Sequence, residues 1–289
     1  MGPLLEATRP RQWTKNIVVF AAIVFSQHLG EWPALGRTFA AFAIFCALSS
    51  AIYLLNDLID AEQDKLHPLK SKRPIASGRL GKNEALTTAV GLLILATAAG
   101  FFLNPPLGVV CVGYAALQLG YMFWFKHQVI LDVIAIAIGF VLRAVGGGAA
   151  ISVEVSHWLL LCTLFLALFL AVCKRRHELL LLRDNSIEHR KTLGHYSESL
   201  LDQMVAVVTS STVISYALYT VAPDTIDRFG SNRLIYTVPF VLFGIFRYLY
   251  LVYRREEGGS PEGLLLGDRA LLVNIVLFGV AVALLVYWK

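Results

Sequence analysis

A chain of 289 residues that is 57% hydrophobic and 16% charged, with a mean hydropathy of +0.64, is too apolar for a water-soluble globule and reads as an integral membrane protein. The formal net charge of +5 comes without any basic, aromatic-interleaved stretch, which excludes a nucleic-acid partner. Cys46, Cys111, Cys162 and Cys173 all fall within apolar runs and show no CxxC spacing, which excludes a disulfide framework and a thiolate metal site.

The chain opens on MGPLLEATRPRQWTKN, which has no apolar core of the kind a signal peptide requires. Windows matched to the ~20 residues that cross a bilayer predict nine spans. They cover about 15–30, 36–55, 84–103, 106–125, 129–150, 157–177, 200–222, 233–253 and 266–288. The first carries Lys15 and Asn16 at its start and His28 near its end. The expectation is one all-α transmembrane domain over 1–289. Within RPRQWTKN, Trp13 and Arg11 read as interfacial anchors, and Lys15 is a candidate phosphate ligand.

After the second span comes NDLIDAEQDKLHPLKSKRPIASGRL, residues 56 to 80, in which acids precede bases. If the helix continues, Asn56, Asp60 and Asp64 lie four apart and within roughly 80° of one another on one face. A solvated helix would set Lys or Arg four residues after each acid. Here Asp60 is followed by Asp64, a like-charge pair costing ~0.2–0.5 kcal/mol, and only Glu62 with Lys65 looks like ordinary pairing. A divalent cation between the carboxylates removes the repulsion. The oxygen donors of Asn56, Asp57, Asp60 and Asp64, without His or Cys, favour Mg²⁺, whose shell is usually completed by water and substrate phosphates. Lys65, Lys70, Lys72, Arg73, Arg79 and Lys82 follow. They read either as an anchor on anionic lipid or as phosphate ligands; Lys70 and Arg73 are the candidates for the second role, Arg73 because Pro74 biases it toward extended backbone.

The fourth loop, YMFWFKHQVILD, places Tyr121, Lys126, His127 and Asp132 near the same membrane face, with Tyr121 and Lys126 as substrate-binding candidates. Arg143, eleven residues after Asp132, is ~16 Å away along a helix, so the two are not expected to pair. Arg143 needs another partner, and Gly146 to Gly148 beyond it permit close helix packing. After the sixth span, KRRHEL holds Lys174, Arg175 and Glu178; the bases also suit a helix end at a lipid surface, whereas Glu178, four after Lys174, is less easily explained that way. Near the end of the eighth span Arg254 is expected to snorkel toward headgroups. Nineteen Lys and Arg lie in the loops on the motif side against four opposite, which orients the N-terminus and motif toward the cytoplasm and, with nine spans, the C-terminus outside.

Nine spans, an NDxxDxxxD motif after the second and a second charged loop after the sixth resemble the UbiA superfamily of intramembrane prenyltransferases. The segments RPRQWTKN, YLLNDLIDAEQDKLHPLKSKRPIASG, FKHQ, VLRAVGGG and KRRHEL are similar to its phosphoribosyl-transferring branch, and the likeness covers nearly the whole chain. It implies nine helices around a central cavity, with cytoplasmic cap loops at about 56–83, 126–128, 174–199 and 254–268, in a bacterial plasma membrane. Most members hold prenyl diphosphate through Mg²⁺ on two Asp-rich motifs. This chain has Lys174 and Glu178 where the second motif would supply aspartates. The branch resembled uses phosphoribosyl diphosphate as electrophile and polyprenyl phosphate as nucleophile, for cell-envelope glycan precursors. The resemblance implies Asp60, Asp64, Lys174 and Glu178 as catalytic, and Lys15, Lys70, Arg73, Tyr121, Lys126, Arg143 and Arg175 as substrate-binding. His67, His127 and His177 are not needed as a base, because a phosphate monoester is already ionised near neutral pH, with its second pKa near ~6. An aromatic prenyltransferase would show the second aspartate pair. A transporter would account for the spans and intramembrane charge but not for a one-sided acidic motif.

Overall fold

Apolar runs punctuated by proline and glycine become helices whose ends follow that punctuation. The computed structural model describes residues 2–66, 68, 70–184, 194–255, 259 and 261–287, without the side chains at 181–184, 262 and 266. Its α-helices in chain order are α1 (Pro3–Ala7), α2 (Ala21–Phe25), α3 (Trp32–Ile59), α4 (Ala61–Leu66), α5 (Lys82–Leu103), α6 (Pro105–Phe123) and α7 (Leu131–Ile151). There follow α8 (His157–Asp184), α9 (Glu198–Val221), α10 (Pro223–Phe229), α11 (Val238–Arg254), α12 (Pro261–Gly267) and α13 (Arg269–Tyr287). Pro33, Pro223 and Pro239 sit in the first turns of α3, α10 and α11, where a missing N–H costs nothing. Asn104, extended before Pro105, ends α5.

Among the described residues eight helices, α3, α5, α6, α7, α8, α9, α11 and α13, are long and apolar enough to cross a membrane. The segment expected as a first span at 15–30 is not one of them. It is a 3-10 helix, Pro10–Phe20, continued by the five residues of α2. That segment nevertheless runs antiparallel to α3 along its length. Arg9 pairs with Asp57, the Trp13 indole N–H donates to Ser50 Oγ at 3.0 Å, and the Asn16 amide donates to Cys46 Sγ and Ser49 Oγ, each at 3.3 Å. Phe20 then packs on Phe39 and Phe42, with ring centroids 4.9 and 5.6 Å apart. A 3-10 helix rises ~2.0 Å per residue, so these sixteen residues cover roughly 30 Å, the thickness of the hydrocarbon core. The span expected at 15–30 thus corresponds to a shorter, mostly 3-10 segment over 10–25. Trp13, expected as an interfacial anchor, is partly buried and held to α3 by that hydrogen bond.

Contacts divide the chain into two compact units, Met1–Phe123 with Leu142–Glu154, and Trp124–Val141 with Val155–Lys289. The core of the first joins Val19 to Phe45 and Leu48 of α3, Leu107 and Tyr114 of α6, and Ala150 of α7. Two glycines of α7 make that packing possible. A Cβ at Gly146 would meet the Phe45 ring at 2.4 Å, and one at Gly147 would meet the Val19 carbonyl oxygen at 2.0 Å. The second contact is backbone and cannot rotate away, so Gly147→Ala is expected to cost about 1–3 kcal/mol by overpacking. Thermal unfolding in detergent checks this; an unchanged Tm would contradict the close approach.

The core of the second unit is built from Phe169, Val172 and Cys173 of α8, Leu201 and Val205 of α9, and Ile245, Tyr248 and Leu251 of α11. In both units large apolar side chains, among them Leu95, Phe102, Val109 and Val276, remain exposed, as lipid-facing helices require.

Candidate active site

In the first unit the acidic motif straddles the junction of α3 and α4. Helical hydrogen bonds continue across it, from Asp60 N–H to Asn56 O at 2.9 Å and from Asp64 N–H to Asp60 O at 2.8 Å, so the four-residue spacing survives the break. The side chains then sort into two sets. Asn56 Nδ2 donates to Asp60 Oδ2 at 3.0 Å, and both residues are half-buried. Asp57 and Asp64 are 2% and 3% exposed, and Arg73 Nη1 bridges them at 3.1 and 2.6 Å. Arg9 closes on Asp57 from the other side. Buried carboxylates carry a desolvation cost of several kcal/mol per ion, and pairing with the two arginines reduces it.

Arg9 was not singled out by the sequence. Its backbone is left-handed, with φ of 54°, and this turn before Pro10 aims the side chain back at the end of α3. Arg73 makes both contacts through Nη1, so among the described residues its Nε and Nη2 edge is not committed to a carboxylate. That edge suits a phosphate oxygen. Glu62, expected as ordinary pairing, binds Lys65 at 2.8 Å and Lys82 at 2.9 Å, and these cations hold its carboxyl at about 2.

The donor set around Asn56, Asp60 and Asp64 is all oxygen and suits a hard cation. Among the described residues no group of three or more His, Cys, Asp or Glu encloses a metal position. Asn56 and Asp60 share one half-buried side of the motif, whereas the Asp64 carboxylate is turned to Arg73, so a cation drawing on all three would have to share Asp64 with that arginine.

In the second unit α8 carries KRRHEL. Lys174 Nζ lies 3.9 Å from Glu178 Oε1, and Arg175 binds the other oxygen of Glu178. Arg175, 4% exposed, also donates from Nε to Asp132 Oδ2 at 2.7 Å. Asp132 is buried and accepts from the Tyr196 hydroxyl at 2.8 Å, which in turn accepts the Ile130 N–H at 2.7 Å. Burial, with Asp132 beside it, pushes the Tyr196 phenol up to about 12, so it stays a donor at neutral pH. Ile130 has φ of 72°, costly for a β-branched residue, and Tyr196 holds it there. Arg176 binds Asp202 at 2.6 Å and lies over the Tyr253 ring at 4.0 Å. The Gly259 backbone rests on the His177 imidazole, where a Cβ would come within 2.7 Å of Nε2.

Removing the Tyr196 hydroxyl deletes a hydrogen bond to a buried carboxylate and leaves the strained Ile130 amide without its acceptor. Tyr196→Phe is expected to cost about 2 kcal/mol. A loss below about 0.5 kcal/mol in denaturant or thermal unfolding would contradict this assignment.

The phosphate-binding candidates thus divide. Arg143 donates to Asn16 Oδ1 and to the Tyr114 hydroxyl, each at 2.7 Å, and is buried; Arg175 is locked between Asp132 and Glu178. Substrate would have to displace those partners to reach either guanidinium. As the eleven-residue spacing required, Arg143 and Asp132 have separate partners. Lys15, Lys70 and Tyr121 are half-buried in the first unit, Lys126 and Lys174 in the second. His67 and residues 185–193 of the second loop lie outside the described residues.

Residues 17–262 match the model of the UbiA prenyltransferase family, a range that runs through both units. The chain is 36% identical to decaprenyl-phosphate phosphoribosyltransferase of Corynebacterium glutamicum, covering 98% of this chain and 86% of that protein. It is 35% identical to the protein of the same name from Mycobacterium tuberculosis, covering 97% and 94%. Among solved structures, a UbiA homolog from Archaeoglobus fulgidus bound to GPP and Mg²⁺ superposes with a TM-score of 0.71 at 18% identity, covering 98% of this chain and 96% of that one. With the fold, the acidic motif at the end of α3 and a family match over most of its length, the chain belongs to the UbiA prenyltransferase family.

Proposed function

We propose that the protein transfers 5-phosphoribose from phosphoribosyl diphosphate to a polyprenyl phosphate. The observation that carries this reading is the chemistry of the second motif. Its Glu178 is already engaged by Lys174 and Arg175, so the motif is a cation-bearing pair and not a second acidic metal cradle. The full-length likeness to two decaprenyl-phosphate phosphoribosyltransferases supports the same choice.

In this reaction the bond from ribose C1 to the diphosphate oxygen breaks as the bond from C1 to an oxygen of the lipid phosphate forms. The electron pair leaves with diphosphate. The nucleophile is ionised near neutral pH, so no side chain needs to take a proton. Mg²⁺ held by Asn56, Asp60 and Asp64, with Asp57 beside them, would offset charge on the departing diphosphate. Arg73 presents its uncommitted edge to phosphate oxygens, and Lys15, Lys70, Tyr121 and Lys126 add donors at half-buried positions. Lys174 binds phosphate as a point charge, with Glu178 fixing the ammonium. The excess of Lys and Arg in the loops on the motif side supports a cytoplasmic site in the bacterial plasma membrane, where a water-soluble diphosphate is available.

The test is incubation of purified protein with labelled phosphoribosyl diphosphate, polyprenyl phosphate and Mg²⁺, followed by extraction into organic solvent. Label is expected in the organic phase, with none transferred from prenyl diphosphate to an aromatic acid. Consumption of prenyl diphosphate with phosphoribosyl diphosphate untouched would replace this reading by an aromatic prenyltransferase.

A further inference from the structure

Within the second unit, Asp132 roots the second motif in the core, a role that the proposed reaction leaves without a function. Asp132 stands in the first turn of α7, where the positive end of the helix favours a carboxylate. Both of its oxygens are taken. The Tyr196 hydroxyl donates to Oδ1 at 2.8 Å from the segment before α9, and Arg175 Nε donates to Oδ2 at 2.7 Å from α8. Tyr196 in turn accepts the Ile130 N–H at 2.7 Å, and Ile130 has φ of 72°, a region that β-branched residues rarely adopt. Strain of this kind persists only where the surroundings enforce it, and it clusters at functional positions.

The contacts run on from Arg175 toward solvent. Its Nη1 binds Glu178 Oε2, and the other oxygen, Oε1, lies 3.9 Å from Lys174 Nζ. Along this series the side chains go from 2% exposed at Asp132 and 5% at Arg175 to 30% at Glu178 and 41% at Lys174. A buried root thus carries an accessible tip.

The two distances at Glu178 differ in kind. Its bond to Arg175 is a hydrogen bond between charged groups, whereas 3.9 Å to Lys174 is beyond the ~2.7–3.2 Å of an N–H···O bond. On an isolated helix Glu178 would have equal access to the cations three and four residues before it. Asp132 breaks that tie, because it fixes the guanidinium with Nη1 toward Glu178. Arg175 then serves as a strut between two carboxylates. An ammonium steered by Glu178 without a hydrogen bond to it loses less on meeting a phosphate. We propose that Asp132 is a positioning residue for phosphate binding at the second motif: by fixing Arg175 it holds Glu178 off Lys174, and without it Glu178 closes on the ammonium and competes with substrate. The inference rests on the phosphoribosyl-transfer reading.

The test is a double-mutant cycle on the purified full-length protein, read as kcat/KM for transfer of labelled phosphoribose to polyprenyl phosphate. Asp132→Asn keeps an acceptor for Tyr196 but turns an amide N–H toward Arg175 Nε. It is expected to lower kcat/KM about 10-fold, the low end for residues that orient a ligand. Lys174→Gln is expected to lower it about 30-fold, the size of a lost hydrogen bond to a charged group. If Asp132 acts through Lys174, the double variant should lie within about 2-fold of Lys174→Gln alone. A merely structural role would instead lower kcat/KM by the same factor in both backgrounds, and that result would overturn the proposal. So would an unchanged kcat/KM in folded Asp132→Asn. Where Asp132→Asn fails to fold, Tyr196→Phe takes its place in the cycle, since it leaves the Asp132–Arg175 pair charged. Its loss should be about 3-fold in the native background and absent in Lys174→Gln, and equal losses in both would again overturn the proposal. Absence of transfer by the native protein would remove the phosphoribosyl-transfer reading and this proposal with it, whereas native transfer with additive losses overturns the proposal alone.

Discussion

Asp60→Asn is expected to lower turnover at least ~10²-fold at limiting Mg²⁺ while leaving the Tm unchanged. The loss should exceed the ~10–100-fold typical of residues that only orient a ligand, because the proposed mechanism places this charge in direct contact with the metal. Asp60 is the cleaner choice of the two aspartates proposed as catalytic. It is half-buried and met by the Asn56 amide, which can donate equally to an asparagine oxygen. Asp64 is 3% exposed and bound by Arg73, so its removal disturbs a buried pair and confuses stability with chemistry. Glu62→Gln, two residues from Asp60, is the control. Its carboxylate is at the surface with Lys65 and Lys82, and turnover should persist. Near-normal rates for Asp60→Asn at limiting Mg²⁺ would remove Asp60 from the metal site.

Lys174→Asp is expected to abolish phosphoribosyl transfer, by at least ~10²-fold in kcat/KM, without creating prenyl transfer. The native ammonium lies 3.9 Å from Glu178, beside Arg175. An aspartate there sets two carboxylates four residues apart, restoring the look of a second acidic motif. It also turns an attraction for phosphate into repulsion and leaves beside it Arg175, a cation already committed to Asp132. No aromatic acceptor pocket is introduced by the change. Transfer from prenyl diphosphate by this variant would mean that the electrophile is set by residue 174 alone. Retention of native activity would mean that Lys174 touches no substrate.

The acidic motif, the later spans and KRRHEL were legible because each rests on spacing within one helix or on a run of apolar residues. Asn56, Asp60 and Asp64 keep their helical spacing across the break at Asp60, and Glu62 pairs with Lys65 as local rules require. What was missed depends on parts of the chain far apart in sequence. Arg9 reaches Asp57 only because its backbone turns left-handed before Pro10. Tyr196 meets Asp132 across 64 residues, so no local pattern marks it. The partners of Arg143 and Arg175, namely Asn16, Tyr114 and Asp132, lie on other helices, so local spacing could not name them. The span expected at 15–30 begins five residues earlier, at Pro10, and is mostly 3-10 helix, a winding that an apolar window does not register.

That helix is also a length reserve. Eleven residues wound as a 3-10 helix are ~5.5 Å longer than the same residues wound as an α-helix. With Phe20 fixed between Phe39 and Phe42, rewinding Pro10–Phe20 would draw Arg9 away from Asp57 by about that distance, well beyond hydrogen-bonding range. The stretched winding is therefore what lets a hydrophobic clasp near one end of α3 deliver a guanidinium to the carboxylates at the other. A tether of fixed residue number acts here as a spacer whose pitch sets the reach of Arg9.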